Sequence, residues 1–158
     1  MRQLSDKVKE GDPAPDFSFV AQDGKTMSLK DYAGSKNLVI YFYPKDFTMG
    51  CTAETKAFST SYEEMKRLGA EVIGISSDTA ESHERFAKEC GAEFPLVSDN
   101  GGKARKAFGV KPTLGFLPGR VTFVIDKNGI IRSVFSSQTN PKGHILNALE
   151  VLNGLPKG

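Results

Sequence analysis

The residues with the clearest chemical potential lie in the stretch 41–54, which reads YFYPKDFTMGCTAE. An aromatic run ends at Pro44, a short polar loop follows, and Cys51 stands where a helix is expected to begin. A thiol attacks as a thiolate, yet a thiol with an ordinary pKa near about 8.5 is only a few per cent ionised at neutral pH. Nucleophilic chemistry at Cys51 therefore requires surroundings that stabilise a thiolate.

A helix N-terminus cannot provide that stabilisation alone. Making a thiol mostly ionised at neutral pH takes a pKa shift of roughly 2–3 units, or about 3–4 kcal/mol. A helix end typically contributes about 0.3–1 kcal/mol and at best about 2 kcal/mol, whereas burial acts in the opposite direction. A reactive Cys51 therefore needs a fixed cation nearby.

Arg120 is the best candidate for that cation, because an arginine stays charged when partly buried and presents several donors in one plane. Arg67 shares a predicted helix with Cys51 but would lie roughly 24 Å away at about 1.5 Å of rise per residue. Arg85 and Arg105 fall in helical segments that we expect to face solvent. Arg120 begins a predicted central strand whose start should lie close to the first long helix. The alternative is an ordinary surface arginine.

Cys51 also has a structural interpretation. It shares one stripe of its predicted helix with Phe58, Tyr62 and Met65, so its side chain is expected to face inward. Free cysteines are often small buried hydrophobes. A core cysteine is therefore the alternative to a nucleophile at this position.

The elements that must position these residues alternate between strand and helix. Turn and capping signals predict an N-terminal hairpin around Asp23-Gly24 and a loop at Lys111–Gly119. The predicted strands are Leu38–Tyr43, Glu71–Ser76, Val121–Ile125 and Ile130–Phe135. The predicted helices are at about Cys51–Leu68, Thr79–Cys90, Asn100–Phe108 and Asn140–Leu152. The order β-α-β-α-β-β-α places parallel strands before an antiparallel pair. It predicts an α/β thioredoxin fold, a central mixed sheet with helices on both faces, with an added N-terminal β-hairpin.

Size and composition limit the function classes. A chain of 158 residues suits one domain, which we place at 11–158 after a loosely held arm at 1–10. The net charge of +2, without basic blocks, argues against nucleic-acid or membrane partners. No apolar segment of signal-peptide length is present, so we expect a cytoplasmic protein.

The cysteines and histidines do not follow a metal-binding pattern. The two cysteines lie 39 positions apart, which excludes a CxxC redox motif, and they are too few for a four-cysteine zinc site. His83 and His144 fall on separate predicted helices, without other ligand-type residues at metal spacing. We therefore expect no metal and no cofactor.

The pattern Pro44-x-x-x-Thr48-x-x-Cys51 resembles the active-site motif of peroxiredoxins, and the whole stretch 41–54 is similar to the branch called bacterioferritin comigratory protein or peroxiredoxin Q. Four further segments resemble that branch in the same order. They read GDPAPDF, ISSDTAESHERFAKE, FPLVSD and RVTFVID, the last beginning at Arg120.

The resemblance implies roles for individual residues. Cys51 would be the peroxidatic cysteine, which attacks a hydroperoxide and becomes a sulfenic acid. Thr48 would donate and accept hydrogen bonds around the thiolate and the peroxide, Arg120 would hold the thiolate and polarise the O–O bond, and Pro44 would shield the site from solvent. A thioredoxin-like protein would regenerate the enzyme, which would be a monomer or a weak homodimer.

Two of the neighbouring residues have simpler interpretations beside the functional ones. Glu54 matches an acidic residue of the branch and would orient Arg120, but an acidic residue near a helix start is also favourable for capping. Thr48 would equally serve as a helix N-cap.

The chain departs from the family pattern where the catalytic cycle is completed. Met49 replaces the usual proline, and Lys56 occupies the position of one type of resolving cysteine. Other members carry that cysteine near the position of Ala87, about one helical turn before Cys90. Cys90 is therefore a candidate resolving cysteine, with a core cysteine as the alternative.

The leading hypothesis is a thiol-dependent peroxidase that acts on hydrogen peroxide and organic hydroperoxides. A thiol redox sensor or binding module on the same fold is the alternative. A cysteine hydrolase is weaker, because neither histidine has a recognisable triad context.

Overall fold

The computed structural model describes residues 9–22, 24–32, 34–99, 102–110, 120–137 and 140–155. Its elements, in chain order, are β1 (Ser18–Val20), β2 (Thr26–Ser28), a 3-10 helix (Leu29–Tyr32), β3 (Asn37–Phe42), α1 (Met49–Arg67), β4 (Ala70–Ser76), α2 (Ala80–Cys90), β5 (Leu96–Ser98), α3 (Lys103–Phe108), β6 (Val121–Ile125), β7 (Ile131–Ser136) and α4 (Pro141–Asn153). The predicted loop 111–119 and residues 1–8 of the predicted arm lie outside the described residues.

Five strands form a mixed sheet in the order β5-β4-β3-β6-β7. β4 is parallel to both β3 and β5, whereas β6 is antiparallel to both β3 and β7. β1 and β2 form a separate antiparallel hairpin. This is the predicted α/β thioredoxin fold with its added N-terminal hairpin.

The central strand β3 separates two hydrophobic clusters, and all six of its residues are buried. Successive side chains of a strand point to opposite faces. Val39 and Tyr41 join a cluster that contains Cys51 and residues of α1, α2 and α4. Ile40 and Phe42 join the other cluster, which includes residues of α3. The helices therefore cover both faces, as predicted, and Cys51 lies on the face of α1 and α4.

Two details of the fold differ from the sequence interpretation. The three-residue strand β5 was not predicted, because it is too short to show a period and its identity comes from pairing with β4. Helix α1 begins at Met49 instead of Cys51, with Thr48 at the N-cap position. Cys51 therefore lies within the first turn of α1.

Both ends of α2 and the start of α4 follow the predicted capping signals, whereas α3 begins at Lys103 and not at the predicted Asn100. At the start of α2 the Thr79 hydroxyl accepts a hydrogen bond from the Ser82 N–H at 3.1 Å, and Gly91 ends the helix with a left-handed φ of 70°. The Asn140 side chain accepts from the Gly143 N–H at the start of α4. No helix of the described segments is long and apolar enough to span a membrane.

Candidate active site

Cys51 and Arg120 meet in a buried site beside the end of β3. Strand β6 runs antiparallel to β3 with Val121 opposite Phe42, so Arg120 lies where β3 gives way to the loop that leads to Cys51. Arg120 Nη2 donates to Cys51 Sγ at 3.3 Å. The cysteine is fully enclosed and the arginine is 5% exposed. The structure thus brings together the predicted thiol and its predicted cation.

The guanidinium of Arg120 is fixed by a second contact. Arg120 Nη1 donates to Glu54 Oε1 at 2.6 Å. Burial acts to lower the pKa of Arg120, but the charges and hydrogen bonds of Glu54 and Cys51 outweigh it and raise that pKa. Arg120 therefore keeps its charge despite being buried.

Gly50 makes room for this guanidinium. A Cβ atom at position 50 would lie 3.0 Å from Arg120 Nη2, which is closer than most Cβ contacts. The glycine that precedes Cys51 therefore allows the arginine to approach the helix backbone.

Glu54 contacts Arg120 and has no capping contact. Because α1 begins at Met49, Glu54 lies beyond the first turn, and its side chain is fully enclosed. Burial raises the pKa of Glu54 to about 7, while the charge and hydrogen bond of Arg120 act to lower it. The capping interpretation of Glu54 is wrong.

Thr48 and Pro44 precede Cys51 in the chain, and neither side chain hydrogen-bonds to its sulfur in the described structure. Thr48 is exposed, and its hydroxyl donates to the Lys45 carbonyl at 2.9 Å instead of accepting from a helix N–H. Pro44 is half-buried, directly after the buried Tyr43. Their predicted roles toward the peroxide stay predictions.

Arg105 on α3 does not face solvent, so that expectation was wrong. Its Nη2 donates to the Tyr43 carbonyl at 2.9 Å, and its guanidinium lies 5.6 Å from the centre of the Phe42 ring. Burial lowers the pKa of Arg105, while the charges of Asp99 and Cys51 act to raise it. A second arginine therefore acts electrostatically on Cys51. The sequence of this short helix contains no pattern that predicts an inward-facing Arg105 side chain.

Cys90 is buried but lies in different surroundings. It ends α2, is 7% exposed, and belongs to the same hydrophobic cluster as Cys51. Burial raises the pKa of Cys90 to about 11, although the charge of Lys56 acts to lower it. Both cysteines are free thiols. Cys90 is thus protonated at neutral pH in this conformation.

His144 and Thr122 were not predicted as parts of the site. His144 Nδ1 lies 2.7 Å from Thr122 Oγ1 and 3.5 Å from Glu54 Oε2, and its Nε2 lies 2.8 Å from the Ser137 carbonyl oxygen. A sequence signal did exist for the histidine. It lies four residues before Ala148 on one helix, and residues so spaced share a face, which here is buried.

His83 belongs to a second buried network, which ties the active-site loop to α2. His83 Nδ1 lies 2.8 Å from Asp46 Oδ2, and the hydroxyl groups of Tyr43 and Ser82 both donate to the Asp46 carboxylate. Asp46, His83 and Asp78 bring ligand-type atoms within 4.8 Å of one another. Sequence spacing did not reveal this group. Hydrogen bonds already engage its ligand atoms, and we assign it no metal.

Known proteins resemble this chain in sequence and in fold. The sequence model of the AhpC/TSA family matches residues 10–134. The chloroplastic peroxiredoxin Q of Oryza sativa subsp. japonica is 46% identical over 155 residues, which cover 98% of this chain and 71% of that protein.

Two solved structures have similar folds. Peroxidoxin BcpB from Mycobacterium tuberculosis gives a TM-score of 0.86 at 33% identity, covering 95% of this chain and 99% of that one. A bacterioferritin comigratory protein from Xanthomonas campestris, described for its alkyl peroxide reduction activity, gives a TM-score of 0.83 at 31% identity, covering 94% and 98%.

Proposed function

The chain belongs to the AhpC/TSA family, in the peroxiredoxin Q branch, and we propose that Cys51 is its peroxidatic cysteine. A member of this branch is a thiol-dependent peroxidase, with a hydroperoxide as substrate and a thioredoxin-type protein as reductant. The observation that carries the assignment is the 3.3 Å contact between Arg120 Nη2 and Cys51 Sγ in a buried site.

The reaction begins with a nucleophilic attack. The thiolate of Cys51 attacks the terminal oxygen of the hydroperoxide, so that an S–O bond forms as the O–O bond breaks. The sulfur loses two electrons and becomes a sulfenic acid, while the peroxide is reduced. The leaving alkoxide, or hydroxide for hydrogen peroxide, then takes up a proton to give an alcohol or water.

Arg120 stabilises charge on both sides of this step. Its hydrogen bond to Cys51 favours the thiolate before the attack. As the O–O bond breaks, negative charge moves to the leaving oxygen, which a preorganised donor stabilises best in a site without water. Thr48 and Pro44 complete the proposed site by binding the peroxide and by shielding the thiolate.

Regeneration requires α1 or α2 to open. Cys51 and Cys90 are both buried as free thiols on different helices, so an external thiol has little access to either sulfur in this conformation. An internal disulfide would need their Cα atoms within roughly 4.4–6.8 Å. If Cys90 resolves the sulfenic acid, the release of Cys90 from the core also lowers the pKa of its thiol toward the ordinary value. If it does not, the sulfenic acid reacts directly with an external thiol.

Stopped-flow kinetics test the proposed function. Reduced protein should consume hydrogen peroxide rapidly, and Cys51→Ser should abolish the reaction. Slow, non-saturating oxidation of Cys51 would instead favour the redox-sensor alternative. The hydrolase alternative has no support in the described residues, because His83 and His144 direct their ring nitrogens to other partners.

Intact mass after one equivalent of peroxide identifies the resolving step. A loss of two hydrogens means an internal disulfide between Cys51 and Cys90. A gain of one oxygen means a single-cysteine mechanism.

The assembly state and the compartment are separate parts of the proposal. We propose a monomer or weak homodimer, which sedimentation over a range of concentrations tests. We propose a cytoplasmic location, although the rice relative is named as chloroplastic. Cell fractionation of the native source tests that location.

A further inference from the structure

Glu54 is a buried carboxyl group whose two oxygens have different surroundings. Oε1 accepts from Arg120 Nη1 at 2.6 Å, but no hydrogen bond from the described part of the chain reaches Oε2. The whole side chain is shielded from solvent. An ionised oxygen that is buried without a donor loses its hydration and gains nothing in return. The surroundings of Oε2 therefore favour a proton on this oxygen.

His144 presents an acceptor to that oxygen. Its Nε2 lies 2.8 Å from the Ser137 carbonyl oxygen, which can only accept, so Nε2 carries a hydrogen. In the neutral ring Nδ1 is then an acceptor, and it lies 3.5 Å from Glu54 Oε2. The Thr122 hydroxyl, 2.7 Å from Nδ1, must then donate to this nitrogen, which is an acceptor shared between Thr122 and the group on Glu54 Oε2. An ionised Glu54 would place a buried oxygen without a donor opposite an acceptor nitrogen, and a proton on Oε2 removes that mismatch.

We propose that Glu54 and His144 hold one proton between them, carried by Glu54 Oε2 and directed toward His144 Nδ1. Glu54 is then a neutral bridge, with Oε1 accepting from Arg120 and Oε2 donating toward His144. His144 is a positioning residue that acts on Cys51 through Glu54 and Arg120. The consequence for catalysis rests on the proposed role of Cys51 as the peroxidatic cysteine.

The titration of the two groups agrees with this location of the proton. Burial raises the pKa of Glu54 to about 7, and burial together with the charge of Arg120 lowers the pKa of His144 to about 4. Between these values the proton belongs to Glu54 and the imidazole is neutral.

The proton determines how the charge of Arg120 is shared. The titratable groups that face Glu54 are Cys51 on α1, Tyr41 on β3, Arg120 before β6 and His144 on α4. When Glu54 is neutral, the positive charge of Arg120 is paired with the negative charge of the Cys51 thiolate alone. When Glu54 ionises, one guanidinium serves two anions, and its stabilisation of the thiolate weakens. The reactivity of Cys51 should therefore decrease as Glu54 ionises.

The proton can be observed in the reduced enzyme without peroxide. In protein labelled with ¹³C at glutamate side-chain carboxyls, one signal should titrate near pH 7 and be absent from Glu54→Gln. His144→Leu removes the acceptor of the acid proton and should move this titration to lower pH. His144→Asn offers an amide oxygen near the place of Nδ1 and should restore it. A Glu54 signal that titrates at the ordinary glutamate pH, or that His144→Leu leaves in place, would overturn the proposal.

A rate measurement gives a second test that does not depend on the His144 variants folding. Glu54→Gln keeps an acceptor for Arg120 and a donor toward His144 at every pH, so the ratio of its peroxide rate to that of the wild type should rise several-fold from about pH 6 to about pH 8. A constant ratio would contradict the proposal. Loss of peroxidase activity in Cys51→Ser tests the proposed function separately, because the carboxyl titration involves no peroxide.

Discussion

The two cysteines differ in their contacts more than in their burial. Both are buried in one hydrophobic cluster on the same face of the sheet. Cys51 accepts a hydrogen bond from Arg120 and lies in the first turn of α1. Cys90 ends α2, and burial raises the pKa of its thiol to about 11. We propose that burial alone leaves Cys90 inert, whereas the fixed cation and the helix N-terminus make Cys51 reactive.

Removing the cation should abolish most of the difference between the two thiols. Arg120→Met should lower the rate of Cys51 oxidation by hydrogen peroxide about 100- to 1,000-fold, the usual effect of deleting one preorganised donor. Stopped-flow oxidation measures the rate. Arg67→Met is the matched control, since Arg67 is exposed at the far end of α1, and it should behave like the wild type. Equal rates in Arg120→Met and the control would show that the thiolate does not depend on Arg120.

The ionisation of Glu54 should change how the free energy of unfolding depends on pH. Because folding raises the pKa of Glu54 from 4.5 to about 7, the native state binds this proton more tightly than the unfolded state. The tighter binding of this proton contributes about 3 kcal/mol to the free energy of unfolding below about pH 4.5. This contribution is lost as the pH rises through about 7. Glu54→Gln removes this term.

Urea unfolding at several pH values measures the effect. The free energy of unfolding of Glu54→Gln minus that of the wild type should increase by about 3 kcal/mol between pH 4.5 and about 7. His144, whose pKa burial lowers, opposes this trend in the wild type. A difference that is flat with pH would contradict a buried, proton-binding Glu54.

A smaller change should weaken the contact without removing the cation. Gly50→Ala places a Cβ atom 3.0 Å from Arg120 Nη2, so the guanidinium must move by a few tenths of an ångström. We expect the rate of Cys51 oxidation to fall a few-fold, by less than in Arg120→Met. Gly154→Ala is the control, because its Cβ would make only an ordinary contact at 3.5 Å. An unchanged rate in Gly50→Ala would show that the approach of Arg120 tolerates a side chain there.

The smallest effect is expected from the other cysteine. Cys90→Ser should leave the first oxidation of Cys51 within about twofold of the wild type, because the Cys90 thiol does not hydrogen-bond to the described residues of the site and is protonated at neutral pH. Single-turnover stopped flow measures this step. A large loss in that step would mean that Cys90 contributes before the sulfenic acid forms.

The sequence predicted those parts of the site that an energy argument or a local pattern could reach. The need for a cation led to Arg120, and strand pairing explains its position, because β6 runs antiparallel to β3. Cap residues correctly predicted both ends of α2 and the start of α4. The three-residue β5 was missed because its identity depends on its pairing with β4.

Other contacts between distant elements could not be predicted. Arg105 turns inward through a bond to the Tyr43 carbonyl, which lies 62 positions away in the chain. The partnership of Glu54 and His144 joins α1 to α4 across the same site. The local sequence around these residues does not identify their contact partners, so only the packed structure shows these contacts.

Competitive alkylation tests the central claim most directly. Reduced wild-type protein is treated with limiting iodoacetamide from about pH 6 to about pH 9, and mass spectrometry of peptides gives the rate at each cysteine. Cys51 should react far faster than Cys90 near neutral pH, and the Cys90 rate should rise about tenfold per pH unit across this range. The advantage of Cys51 should collapse in Arg120→Met. Equal rates at the two cysteines of the wild type, or a Cys51 advantage that survives without Arg120, would contradict the account.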